Sequence, residues 1–158
     1  MKLYIKEKVF TWGDKFTVMD EYGQPKYFIE GEVFSWGKKL HVYDRYEREV
    51  AFIKQELFTF MPCYCVFVGG REIAKVRREF SFFRPRYYVE GLNWEVDGHF
   101  WEHDYDVTKN GRNIVSIAKE WMTWGDSYEL DIAPEADEIV ALAVVITIDC
   151  VVEQQNNN

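Results

Sequence analysis

The chain has 158 residues, of which 47% are hydrophobic and 18% aromatic, a length that suits one domain and a composition that favours strands over a helical bundle. Nineteen Lys and Arg against 27 Asp and Glu leave a net charge of −8, which argues against general adhesion to nucleic acid or to acidic membrane surfaces. Cys63, Cys65 and Cys150 form an odd set in a chain without an export signal, so reduced, buried thiols and a cytoplasmic location are expected, and Cys63-Tyr64-Cys65 lacks the second ligand pair of a metal site.

Met1 to Lys8 alternates apolar and charged residues without an apolar block, and reads as a first strand and not as a secretory leader. A shift of 24 residues lays VFTWGDKFTVMDEY, Val9 to Tyr22, on VFSWGKKLHVYDRY, Val33 to Tyr46. Each unit is a Trp-Gly turn, a strand ending in Asp and a second turn, hence a hairpin. A shift of 23 lays Phe83-Arg84-Pro85-Arg86-Tyr87 on Phe60-Met61-Pro62-Cys63-Tyr64, so the meander continues, and Thr123-Trp124-Gly125-Asp126 repeats the Trp-Gly turn. Trp12, Trp36 and Trp124 are expected to plug the ends of a barrel, with a sugar or lipid platform as the other reading.

Turn signals such as Gly69-Gly70, Asp97-Gly98 and Asn110-Gly111 divide the chain into strands at 2–10, 15–20, 26–31, 38–44, 49–56, 62–68, 71–80, 86–91, 93–97, 100–107, 112–121 and 127–132. Closing so many short strands into a barrel removes their edges. Val50-Ala51-Phe52-Ile53 breaks strict alternation, which predicts that something also covers the outside.

Pro134-Glu135-Ala136-Asp137-Glu138 is a helix entrance, with proline and carboxylates where the first turn favours them. Ile139 to Val152 is apolar on every side; its β-branched residues leave a buried strand as the competing reading, but its length favours a helix of about 135–150 buried all round. Glu138 and Asp149 bracket ten residues, about 15 Å of helix, too few for a bilayer, so no transmembrane segment is expected. The expected fold is mainly β: about twelve antiparallel strands in a closed barrel around a buried C-terminal helix, one domain over 1–153 with a polar tail at 154–158.

At the front, Phe10, Gly13-Asp14, Phe16, Val18, Asp20-Glu21 and Gly23 fit an F-x-x-G-D-x-F-x-V-x-D-E-x-G hairpin; at the back stand Tyr128-Glu129-Leu130, Asp137 and the apolar run ending Ile146-Thr147-Ile148-Asp149. In these residues the whole chain resembles the LURP-one-related family, including its bacterial YxjI-like members, within the tubby C-terminal-like superfamily. The resemblance implies a twelve-stranded barrel around a C-terminal helix. Superfamily relatives include phosphoinositide-binding tubby domains and phospholipid scramblases, and plant members are linked to defence. Fold transfers better than function, and the basic residues of tubby domains do not map one by one onto this chain, so no residue role is carried over.

His99 and His103 are four apart in an expected strand, about 13 Å, too far to share one ion. Asp104 and Asp106 share a strand face and could pair as acid and base, yet a solvated hairpin pair is the simpler reading. No nucleophile elbow, Walker loop or dinucleotide loop occurs, and no catalytic residue, metal or cofactor is implied. One segment departs from the acidic balance: Arg71 to Arg86 holds Arg71, Lys75, Arg77, Arg78, Arg84 and Arg86 against Glu72 and Glu79, a local charge of +4. Lys75, Arg77, Arg78, Arg84 and Arg86 are the candidate ligand-binding residues, for an anionic lipid head group or a phosphorylated small molecule; a solvated face neutralised by acidic neighbours is the alternative. The expected function is a non-enzymatic binding or scaffold module, cytoplasmic or peripheral at a membrane, with a protein-interaction module next and a carboxylate-dependent enzyme last. A filled barrel leaves no internal cavity, so a ligand is expected outside or at an end.

Overall fold

The computed structural model describes residues 1–6, 15–122 and 125–156. Among these, twelve strands follow one another: β1 Lys2–Lys6, β2 Lys15–Asp20, β3 Pro25–Gly31, β4 Lys39–Asp44, β5 Glu49–Gln55, β6 Cys63–Val68, β7 Arg71–Glu79, β8 Arg86–Glu90, β9 Trp94–His99, β10 Asp104–Lys109, β11 Arg112–Met122 and β12 Gly125–Ile132. Each pairs antiparallel with its chain neighbours, and β1 pairs with β12, Leu3 opposite Leu130 and Ile5 opposite Tyr128, so the sheet closes into a barrel. The helix α1, Glu138–Asn156, runs through it.

The period of two places Leu3, Ile5, Val18, Ile29, Val42, Ile53, Val66, Val76, Val89, Val107 and Ile117 inside, each fully or almost fully buried. Against them packs a helix buried on all sides, Ala141 to Val152 without interruption. Its side chains leave water wherever they point, so the barrel wall supplies the stability that the β-branched composition withholds. The helix lies nearest β5, β6 and β7, where the small Ala51 and Ala74 let it approach the wall.

The helix begins later and ends later than its sequence suggests. Asp137 is the cap, its Oδ1 accepting from the backbone N–H of Ile139 at 2.9 Å and of Val140 at 3.0 Å, which leaves Pro134 ahead of the first turn. At the other end α1 runs through Asp149, itself buried, to Asn156, so 154–156 are helical and Asp149 is no bracket. Even at 19 residues, no helix among the described residues is long and apolar enough to cross a membrane.

The hairpin repeat has a physical cause. Asp20 accepts from the N–H groups of Tyr22 and Gln24, both at 2.9 Å; Asp44, its counterpart in the second copy, accepts from those of Tyr46 and Arg48 at 2.8 and 3.1 Å. The same carboxylate therefore folds the same turn twice.

Two expectations are corrected. The outward Phe52 packs on Phe67 and on His41, with ring centroids 5.8 and 4.8 Å apart, and among the described residues no added element covers them. Asp97-Gly98 is no hairpin turn: β9 continues to His99, a short 3-10 turn, Phe100–Glu102, makes the connection, and Phe100 tucks into the core.

The meander sorts the connections into two ends. The connections 21–24, 45–48, 69–70, 91–93 and 110–111 are tight turns at one end, the turn end, where α1 starts. The connections 32–38, 56–62, 80–85 and 100–103 are longer and lie at the other, the loop end, where α1 finishes.

Candidate functional site

Of the candidate residues on β7, alternation sends Lys75 and Arg77 outward and Arg78 toward the barrel's interior side. Lys75 Nζ lies 2.7 Å from Glu56 Oε1, and that bond, joined by one from the Cys65 thiol, holds the Glu56 carboxyl below its ordinary range. Arg77 lies over the Tyr88 ring, 5.5 Å from its centroid, with Nε 3.6 Å from Glu90.

Arg78 belongs to the loop-end closure of the barrel. In the orientation that satisfies both neighbours, the Gln155 amide accepts from Arg78 Nε at 2.7 Å and donates to the Tyr87 hydroxyl at 2.6 Å. Lys38 reaches Glu153 at 3.2 Å beside it. The last turn of α1 has no basic residue of its own, and these two cations from the rim stand where the negative end of its dipole calls for them.

Arg84 and Arg86 stand in and just after the 80–85 loop, both exposed; Arg84 is 3.4 Å from Asp97, and Arg86 sits opposite Glu79 in register. A recess of about 290 Å³ beside Arg84 has Asp97 and Glu102 in its lining, so it is not a purely cationic hollow. The hairpin thus gathers Arg77, Arg78, Arg84 and Arg86 at the loop end, while Lys75 is set back and matched by Glu56.

The sequence reading missed two features. Trp36 is 83% exposed and does not plug the barrel, whose loop end is closed instead by the end of α1 with Tyr87, Arg78 and Lys38; Trp12 and Trp124 lie outside the described residues. Around Trp36, the loop-end connections hold up Phe34, Phe58, Phe60, Phe80, Phe82 and Phe83, all strongly exposed. The alternation of these rings with small polar residues, as in Phe58-Thr59-Phe60, was the available signal.

The second feature is buried. Asp149, deep in α1, accepts a short hydrogen bond from the Tyr128 hydroxyl and faces His103 Nε2 at 3.7 Å; the His103 ring stacks on Tyr128 at 4.2 Å. Burial pushes the Asp149 carboxyl up to about 6, against the opposing pull of His103 and Tyr128. His103 thus turns inward while His99 faces solvent, and Asp104 and Asp106 point out from β10 into water.

The barrel is closed by its first and last strands and filled by its own C-terminal helix. The family model for LURP-one-related proteins matches residues 1–149. The chain belongs to the LURP-one-related family. The Bacillus subtilis (strain 168) relative described as uncharacterized protein YxjI is 35% identical over 152 residues, covering 96% of this chain and 93% of its own. An X-ray structure of an Arabidopsis thaliana protein superposes with a TM-score of 0.67 over 99% of this chain and 91% of that one; at 16% identity the likeness is one of fold.

Proposed function

We propose that this LURP-one-related chain is a non-enzymatic binding module whose loop end takes an anionic head group, borne by a lipid or by a phosphorylated small molecule. The observation that carries the reading is the collection of Arg77, Arg78, Arg84 and Arg86 against Glu79 alone, over 77–86, at the loop end of a barrel whose chain is otherwise acidic. Guanidinium forks suit phosphate oxygens, and Arg84 and Arg86 are the exposed pair that makes first contact. Arg77, Arg78 and Lys75, held by neighbours, supply field around them.

A binding role is further supported by where the reactive side chains stand. Tyr128 and the helix's Asp149 are buried with His103 packed over them, and Asp104 and Asp106 are solvated on an open strand face. The free, buried thiols of Cys63, Cys65 and Cys150 suit the reducing cytoplasm, where the module would act peripherally at most.

Calorimetric titration with inositol trisphosphate tests the reading. Binding at low salt that weakens as salt rises, and that Arg84→Gln with Arg86→Gln abolishes, is expected. No heat at low salt, or binding indifferent to both substitutions, overturns it.

A further inference from the structure

We infer that the loop end docks onto a lipid bilayer, its aromatic loop tips entering the interface while the arginines of 77–86 meet anionic head groups; this rests on the anion-binding reading and names the source of the anion. Phe34, Phe58 and Phe83 are 98–100% exposed and stand on three different connections. Those connections follow one another around the rim, because β3 to β8 are consecutive in the barrel, so the rings form one arc. Every one of these large apolar groups stands in water, an arrangement that gains free energy as soon as something covers it.

The loops are built to hold that arc. Ser35 Oγ donates to the Gly37 carbonyl at 2.7 Å, Lys38 N–H to Gln55 Oε1 at 2.8 Å, and Arg78 N–H to the Pro62 carbonyl at 3.1 Å, which ties the 32–38 connection to the end of β5 and the 56–62 connection to β7. Gly37 has a φ of 76°, a backbone region that favours glycine, and its α-carbon lies against the tip of the Leu57 side chain from the neighbouring connection. Phe58 itself is held at a φ of 61°, a backbone region costly for an aromatic residue, and that geometry leaves its ring wholly in solvent.

Charge and residue type choose the occupant. Beside the rings, 77–86 carries four arginines against one glutamate, and 32–39 carries Lys38 and Lys39 against Glu32, in a chain whose net charge is −8. Aromatic rings with cations next to them fit the membrane interface, where rings sit at head-group depth and basic side chains reach the phosphates. The rings are also spread over loop tips and not gathered in one flat patch, which suits a deformable fluid partner better than a fixed protein surface.

Co-sedimentation with vesicles of phosphatidylcholine alone, and of phosphatidylcholine mixed with phosphatidylserine, tests this. The wild-type protein is expected on the anionic vesicles. Phe58→Ser, Phe60→Ser, Phe82→Ser and Phe83→Ser combined should lower partitioning, each fully inserted ring being worth on the order of tenfold. The thermal midpoint and inositol trisphosphate binding should not change, because these side chains touch no part of the core. Equal partitioning of the wild type and the serine variant overturns the inference. Absence of the wild type from both vesicles does so too: retained inositol trisphosphate binding then leaves the anion-binding reading standing, and its loss removes both. A lipid-independent dimer, or capture of a protein partner without vesicle binding, that the same serine substitutions abolish also overturns it.

Discussion

Asp149 shows how far one side chain can depart from what its neighbours in sequence suggest. In the chain it looks like the polar stop of an apolar run; in the fold it is the buried acceptor for Tyr128, stacked in turn on His103. No local signal could have paired residues 103, 128 and 149, because the pairing exists only once the barrel has closed. With its folded value raised to about 6 from an ordinary 3.8, Asp149 favours the folded state fully below the ordinary value, and that contribution is lost as pH rises through about 6. Asp149→Asn, which keeps an acceptor for Tyr128, is therefore expected to flatten the fall in urea midpoint between pH 4 and pH 6. An unaltered pH profile in the variant would contradict this placement. His41 provides the outer-surface counterpart: burial opposes its charge, but hydrogen bonds to Glu49 and Glu32 outweigh that and raise its value above the ordinary 6.5. Its contribution is complete below 6.5 and disappears as pH rises through the folded value, so His41→Gln should lose stability at pH 6 but not at pH 9. Thermal melts at the two pH values check it.

The elements were largely legible because turn chemistry and period-two alternation are local. Asp20 and Asp44 fold equivalent turns from equivalent sequence, and β3 to β8 fall within a residue of expectation, whereas β10 starts at Asp104 and not at 100. The connection at Phe100–Glu102 was not legible, since Asp97-Gly98 imitates a hairpin dipeptide while the buried Phe100 sets the true turn. The rim was legible in its arginines and misleading in its tryptophan: Trp36 sits in a Trp-Gly turn that would suit a plug, but the helix reaches the loop end and occupies that place. Helix α1 is expected to be obligatory. A chain ended before Pro134 leaves the barrel facing an empty interior, and should show no cooperative unfolding transition by circular dichroism. A cooperative transition in the truncated chain would mean that the barrel stands without its core.

At the scale of the molecule, the interior is spent on stability and the two ends differ in kind. The turn end consists of short turns, with Tyr22 and Tyr46 exposed, and the start of the helix; the loop end carries the long connections, the exposed phenylalanines with Trp36, and the arginines of 77–86. A net charge of −8 argues against indiscriminate adhesion to acidic surfaces, yet residues 77–86 at the loop end reverse that balance locally, and this polarity gives docking a single orientation. The most direct measurement is residue-resolved NMR line broadening in anionic bicelles that contain a nitroxide-labelled lipid. Broadening is expected to concentrate at Phe34, Trp36, Phe58, Phe60, Phe82 and Phe83, with the turns at 21–24, 45–48 and 110–111 left sharp. Broadening spread evenly over the barrel, or centred on the turn end, would contradict it.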